Sequence, residues 1–543
     1  MAREDGRIMA LWGREYGMAQ GILDRVRECS GLSKSWILPP IGQVETRSLP
    51  TCYQNMGSRG TTNLEGKYLF SMYPYGLPWL NLDLAPEIKY APSSVVSDEF
   101  KDEAADRMFW LEVMVQAAIE GAGQTAAVSG TDVRGGFMSS QRSMISQLIV
   151  TGDSLERMAD DFTTTVFRRD QYTTMRDGAG QVIHHVIKEK IDPLTLSDEE
   201  IARVGLNKDE IEKQSADMRL VDRFCLVERN PRTQRWVIEH EINGKMVFRE
   251  PAEETVSPYL STCWELPAGY HYGVGFIELN LPDLRTTDEL ERHILNFAGM
   301  ASKMYPVRDH NSLVQEEDLE RPPGTVLTCK VQGGEPQDVG MLKANNYPDF
   351  RVVSDTIERK YQALGKAMCL SSEVIPQKER TTAAQVREIV QELDAQTGGA
   401  ATHIMDNSTI PRVRRAIHIL MREGRVGMIP KDVMKIGIKT GPAALARQNQ
   451  IGNLTGFVTL AQQLGTEAMQ SINMDSLLDV ARRYLNINEP TVVKSRQQRQ
   501  QEQAQAVQQA VRAQLAQAVG EKAADVVGNV AQQGLTNQLQ PAA

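Results

Sequence analysis

The stretch Cys52–Phe70, CYQNMGSRGTTNLEGKYLF, sets Gly57, Gly60 and Gly66 close to Lys67. Glycines near a lysine suggest a phosphate cradle, in which backbone N–H groups face the phosphates, the lysine neutralises them and a following Ser or Thr holds magnesium. The spacing here is wrong for that chemistry. Five residues rather than four separate Gly60 from Gly66, and Tyr68 stands where the metal-binding hydroxyl is needed. The polar, proline-broken RSLPTCYQ before the stretch is also unlike the buried strand that such a loop must leave.

Other catalytic patterns are equally weak. His184 and His185 are adjacent in the alternating run QVIHHVIKEK, so on a strand they point to opposite faces and cannot share a metal. There is no H-E-x-x-H and no G-x-S-x-G. Glu199 and Glu200 belong to LSDEEIARVGLNKDEIEKQ, which reads as a solvated helical face. The six cysteines (Cys29, Cys52, Cys225, Cys263, Cys329, Cys369) lie far apart without a C-x-x-C, as expected of free thiols in a reducing compartment. No cofactor or metal is implied, and an enzyme is not the expectation. A net charge of −10 argues against a protein that grips nucleic acid tightly. The most apolar window, MFWLEVMVQAAIEGAG, is broken by Glu112 and Glu120 and is too short to span a bilayer, and the N-terminus lacks a secretory pattern.

The elements are more telling. With 41% hydrophobic and 24% charged residues over 543 positions, the chain has the composition of an ordinary multidomain globular protein. Trp12, Tyr16, Ala19, Leu23 and Val26 mark one face of an opening helix, and Ser97 caps a second before its acidic first turn. From about Gly152 to Phe248 strand signals dominate. TTVFRRDQYTTMRDGAGQVIHHVIKEKI reads as two strands turning at Asp177, Gly178 and Gly180, and WVIEHEINGKMVF as a hairpin turning at Asn243-Gly244. Next, Thr286 and Glu289 have the spacing of a capping box, followed by Leu290, Ile294, Phe297, Ala301 and Met304 at helical intervals. A proline- and glycine-punctuated segment leads to a second amphipathic helix striped by Phe350, Val353, Ile357, Tyr361, Leu364 and Met368. Thr382 and Gln385 can cap a very long helix beyond it, in which Gly398-Gly399 and Pro411 predict breaks, since helix-interior glycine costs about 1 kcal/mol against alanine.

These residues carry a resemblance. Tyr53, Gln54, Gly57, Arg59, Gly60, Asn63, Leu64 and Lys67, with Pro74 and Trp79 after them, resemble the N-terminal pattern of the portal proteins, or head-to-tail connectors, of short-tailed (podovirus) bacteriophages. VTGDSLERM with RDGAGQVIHHV, YGVGFIELNLPDLRTTDELERHILNFAGMASK, ERTTAAQVREIVQELDAQTGGA and IKTGPAALARQNQIGNL are similar too, in order, from about Tyr53 to Leu485. Pro282, where the family has a small residue, and the tail after Glu489 depart from the pattern.

The resemblance implies an α+β, mainly α portal fold: wing 1–272, stem helix 273–304, clip 305–347, second stem helix 348–370, tunnel loop 371–382, kinked helix 383–424, crown 425–490 and a Gln/Ala-rich barrel or tail 491–543. Gly57, Arg59, Gly60 and Asn63 become a wing motif in which the glycines allow close packing and Arg59 bonds a neighbouring backbone or acid. Lys378 and Arg380 become DNA-channel residues of the tunnel loop, Glu316, Glu317, Asp318 and Glu320 a docking surface on the clip, and Gly398 and Gly399 the helix kink. The implied function is a dodecameric ring at a capsid vertex, through which double-stranded DNA passes without sequence specificity. Its implied partners are terminase, a tail adaptor, scaffold and major capsid protein, with no membrane. Assembly would occur in the host cytoplasm and the product would reside in the virion. The alternative is a non-viral helical ring or coiled-coil scaffold. In the tail, Val507, Val511, Leu515, Val519, Val526 and Val530 recur at slightly more than the helical period, which fits an accessory helical barrel, the competing reading being a disordered glutamine-rich tail.

Overall fold

The structure, a computed structural model, describes residues 5–43, 49, 51–74, 79–83, 87, 91–92, 97–122, 136–215, 219–249, 255–302, 305–308, 310, 328–332, 335–336, 339–342, 347–370, 391, 395, 399–427, 437–440, 442–464, 477–478, 481 and 509. The chain forms two compact units, Met1–Ala446 and Arg447–Ala543. The principal helices are α1 (Arg7–Gly31), α2 (Met56–Met72), α3 (Asp98–Glu120), α4 (Phe137–Thr151), α5 (Leu281–Ser302), α6 (Tyr347–Ala367), α7 (Ile410–Arg422) and α8 (Pro442–Leu464). Of the second unit, the description covers the α8 residues from Arg447 onward and a few positions beyond. Among the described residues no helix is long and apolar enough to cross a membrane.

Strand β1 (Leu80–Asp83) pairs antiparallel with β14 (Gly437–Thr440), and two antiparallel sheets follow α4. One has the order β3-β2-β9, with β2 Asp153–Met158, β3 Thr164–Phe167 and β9 Tyr259–Cys263. The other runs β4-β5-β6-β7-β8, with β4 Tyr172–Arg176, β5 Val182–Ile191, β6 Val221–Arg229, β7 Trp236–Ile242 and β8 Lys245–Arg249. Both expected turns are present. Asn243 and Gly244 have φ of 51° and 72°, the left-handed pair that a two-residue hairpin needs. The first run contains three strands rather than two, because β3 and β4 belong to different sheets and a 3₁₀ turn at Arg169–Gln171 joins them. That turn buries Arg169, whose guanidinium lies 4.0 Å from the Tyr272 ring and donates to the Tyr172 carbonyl.

Helix α1 docks on the five-stranded sheet through Ile8 and Trp12 against Val186, Phe224 and Leu226. Buried Glu241 of β7 accepts from the N–H groups of Ile8 (2.9 Å) and Met9 (3.2 Å), so a carboxylate meets the positive end of α1. His184 and His185 do part company. His184 bonds Glu15 of α1, while His185 is buried beside Thr174 and its pKa is pushed down to about 3 by burial.

The helical core gathers Leu64 and Tyr68 of α2, Leu111 and Val115 of α3, Leu148 of α4, Leu284 of α5, Leu364 of α6 and Val413 and Ile417 of α7. Helices α5 and α6 pair as an antiparallel hairpin: Lys360 reaches Asp283 (2.5 Å), and Tyr361 donates to Glu291 (2.8 Å). At their far ends β10 (Tyr305–Arg308) pairs with β13 (Val339–Leu342), and a small ladder of β11 (Val331–Gln332) with β12 (Glu335–Pro336) lies between them in sequence. Helix α5 begins at Leu281, ahead of the expected capping box, and Thr286 instead bonds back to the Pro282 carbonyl. Pro282 is tolerated because a first-turn residue needs no amide hydrogen.

The expected break before α7 occurs twice. Gly399 has φ +84°, and Met405–Thr409 forms a π turn just before Pro411, which lacks an N–H and would crowd the carbonyl four residues back. Gly398 lies outside the described residues. The π turn places Thr409 and Arg412 in a buried polar hub. Arg412 pairs with Glu156 of β2 and donates to the Tyr73 hydroxyl (2.7 Å), which also lies within hydrogen-bond distance of Gln141 and Thr409. Arg412 and Glu156 are 0% and 1% exposed, so this pair holds α7, β2 and the end of α2 together in a site where neither charge tolerates solitude.

Replacing Arg412 with Met strands the Glu156 carboxylate and is expected to cost about 3–5 kcal/mol in urea unfolding. The double variant Arg412→Met/Glu156→Leu should recover most of that loss. Equal instability of the single and double variants would contradict a pairing role.

Candidate functional site

The motif Gly57–Lys67 lies inside α2, where its amides serve the helix rather than a phosphate. Gly57, Gly60, Asn63 and Lys67 recur every three or four residues and share one helix face. Gly60, Asn63 and Lys67 of that face grip the lower end of the α5–α6 hairpin, while Gly57 lies against the residues that follow α1. Asn55, at the N-cap position, makes no capping bond through its side chain. Gln54 substitutes: its Oε1 accepts from the Gly57 amide (2.9 Å) while its Nε2 donates to the Leu32 carbonyl (2.7 Å). Asp288 of α5 accepts from the backbone amides of Tyr53 (2.6 Å) and Gln54 (3.1 Å), tying the approach to α2 onto the hairpin.

Two glycines on this face are required by space. A Cβ on Gly57 would sit 2.0 Å from the Leu32 carbonyl oxygen, and one on Gly60 would sit 1.8 Å from the Met368 sulfur. Further along, Asn63 Nδ2 donates to the carbonyls of Met368 (2.9 Å) and Cys369 (3.0 Å), and Lys67 Nζ donates to that of Cys369 (3.0 Å). Lys67 is only 2% exposed. Arg59, expected to bond a backbone or an acid, does neither among the described residues: its side chain is exposed, and Asn63 and Lys67 make the backbone bonds. Arg59 is off the gripping face because it lies one residue from Gly60, a rotation of about 100°.

A second close approach secures the start of the hairpin. Gly152, the left-handed cap of α4 at φ +81°, lies against Gly273 and Gly275, and a Cβ on Gly152 would be 2.6 Å from the Gly273 carbonyl oxygen. The VTGD and YGVGF stretches therefore meet in space, although 120 residues separate the Asp153 carboxylate from the Gly273 amide that it accepts (3.0 Å). Burial pushes the Asp153 carboxyl up, against the pull of nearby Arg169.

Above this anchorage the hairpin is thinly covered. Ile357 and Leu364 are buried, but Leu295 is 53% and Val352 65% exposed. The other predicted site residues, Lys378 and Arg380 of the tunnel loop and Glu316, Glu317, Asp318 and Glu320 of the clip, lie outside the described residues. Sequence reasoning missed the far half of the grip, namely Leu32, Asp288, Met368 and Cys369. The i, i+3, i+7 spacing of Gly60, Asn63 and Lys67 was the available sign that one face was committed to a partner.

Residues 34–493, which include α2, both sheets and the whole hairpin, match the model of the bacteriophage head to tail connecting protein. The chain belongs to that family. This connector is similar to the portal protein of Escherichia phage T7, at 22% identity over 80% of this chain and 78% of the relative. It is similar also to the portal protein of Pseudomonas phage phiKMV (23%, covering 86% and 88%) and to that of Enterobacteria phage SP6 (20%, covering 97% and 98%). The solved neck of a native gene transfer agent particle aligns over 70% of this chain and 92% of that one at 10% identity and a TM-score of 0.27, too loose a likeness to carry weight.

The two glycines of the connector's grip should differ in tolerance. Gly57→Ala meets a backbone carbonyl that cannot withdraw, whereas Gly60→Ala meets a flexible side chain. Overpacking of this kind costs about 1–3 kcal/mol. Gly60→Ala is expected near the lower end and to be rescued by Met368→Ala, while Gly57→Ala is expected near the upper end and unmoved by Met368→Ala. Thermal unfolding of the four variants checks this.

Proposed function

We propose that the connector forms a closed ring, a dodecamer, at a capsid vertex, and that double-stranded DNA enters and leaves the head through its channel. The single observation that carries this is the family match across the hairpin and its anchorage. In this reading 1–272 is the wing, α5 and α6 are the stem, 305–347 is the clip, 383–424 is the kinked helix, and 425–490 is a crown bearing the 491–543 tail. A stem whose anchorage among the described residues lies at its root, with Leu295 and Val352 exposed higher up, suits helices that neighbouring copies cover.

Charge favours passage over retention. Each lysine or arginine that neutralises a phosphate adds salt-dependent affinity through counterion release, so a conduit wall works best when it offers few of them. From Tyr305 to Asp349 there are eight acids (Asp309, Glu316, Glu317, Asp318, Glu320, Glu335, Asp338, Asp349) against four bases (Arg308, Arg321, Lys330, Lys343), a difference of −4 per copy that the ring multiplies. The acids Glu316, Glu317, Asp318 and Glu320 offer a docking surface to terminase and then to a tail adaptor, scaffold and capsid protein surround the wing, and Lys378 and Arg380 touch the passing backbone transiently. The connector performs no bond chemistry in this role.

Electron microscopy of the purified chain tests the proposal. Closed twelve-fold rings with an axial channel are expected at micromolar concentration under native conditions. A monodisperse monomer, or an open filament, would overturn it.

A further inference from the structure

Helix α6 does not fade out at its C-terminus; it is stopped. The Cys369 amide donates to the Lys366 carbonyl (3.1 Å) and the Leu370 amide to the Gly365 carbonyl (2.8 Å), the paired bonds of a Schellman cap. That cap needs a left-handed residue at its centre, ordinarily glycine. Here it is Cys369, at φ +53°, where a side chain is strained. The Cys369 carbonyl receives both the Lys67 ammonium and the Asn63 amide, each at 3.0 Å, and Asn63 also bonds the Met368 carbonyl. A buried cation thus sits at the negative end of α6, on the residue whose side chain disfavours the left-handed conformation that the stop requires.

We propose that Lys67, assisted by Asn63, is a positioning residue that holds Cys369 left-handed, ends α6 there, and so fixes the direction in which the chain sets out toward residues 371–382. Without that hold, Cys369 relaxes to the right-handed region that its side chain favours and α6 runs on, re-aiming everything that follows. The consequence for a channel rests on the ring reading above; the helix stop itself does not.

Lys67→Met, which keeps most of the side-chain volume, is compared in two backgrounds, native and Cys369→Gly. Glycine accepts φ +53° without strain, so it should make the hold dispensable. The expected outcome is a lowered unfolding midpoint for Lys67→Met in the native background, at most half that drop in the Cys369→Gly background, and at least a tenfold faster maleimide labelling of Cys369 in Lys67→Met, mapped by peptide mass spectrometry. An equal drop in both backgrounds would mean that Lys67 only fills and satisfies the core, and would overturn the proposal. If Lys67→Met does not fold, Asn63→Ala runs the same comparison with the same deciding outcomes. Assembly of each variant is scored separately by electron microscopy, so absence of rings would count against the ring reading without touching the helix stop.

Discussion

Helix α2 must lie very close to two neighbours for this connector to hold its hairpin: at Gly57 its backbone nearly touches the Leu32 carbonyl after α1, and at Gly60 it packs against the Met368 side chain just past the end of α6. At Gly57 no side chain larger than hydrogen fits, and at Gly60 one fits only if Met368 moves. Once the helix is that close, its polar residues reach partners otherwise out of range, and Asn63 and Lys67 satisfy the carbonyls that α6 leaves open at its end. The same close approach brings Tyr53 and Gln54 to Asp288, so both helices of the hairpin are tied to one short segment.

Rigidity behind the grip comes from buried charge. The pair of Arg412 and Glu156, with Tyr73, Gln141 and Thr409 around it, joins α7 to the sheet containing β2 and to the residue that follows α2. Such pairs add little net stability over a well-packed apolar core but penalise every arrangement in which one partner is missing. Buried Lys34 does similar work on buried Glu65, farther along α2, and the exposed Arg142 adds a second bond to it. Helix α2 is therefore braced on one side and gripping on the other, which lets a hairpin held at its root keep a defined direction.

Much of this was legible in the amino-acid sequence where the cause is local. The Asn243-Gly244 turn, the Ser97 cap and the α1 stripe follow from the conformational freedom of a few residues or from helical periodicity, and the structure has each of them. The failures share a different cause. The capping box at Thr286 and Glu289 has the right spacing, but α5 starts earlier, at Leu281, where Leu281 and Leu284 are buried. The 3₁₀ turn that separates β3 from β4 depends on Arg169 finding Tyr272, which is about one hundred positions away. The charge of Arg59 marks it for a bond, whereas the grip uses the polar residues Asn63 and Lys67 that share a helix face with Gly60. Long-range partners such as Arg412 with Glu156 leave no mark in one sequence, because nothing local distinguishes a buried arginine from a solvated one.

A grip at the root and exposed apolar residues above it make a specific claim about where the hairpin is held by its own chain and where by neighbours. Amide hydrogen exchange along 281–302 and 347–370, read in assembled particles and in dissociated chains, addresses it directly. The root segments 281–288 and 364–370 should be protected in both states, and 289–302 with 350–360 should gain protection only on assembly. Protection of the whole hairpin to the same degree in dissociated chains, or loss of protection at the root before the upper segments, would contradict it.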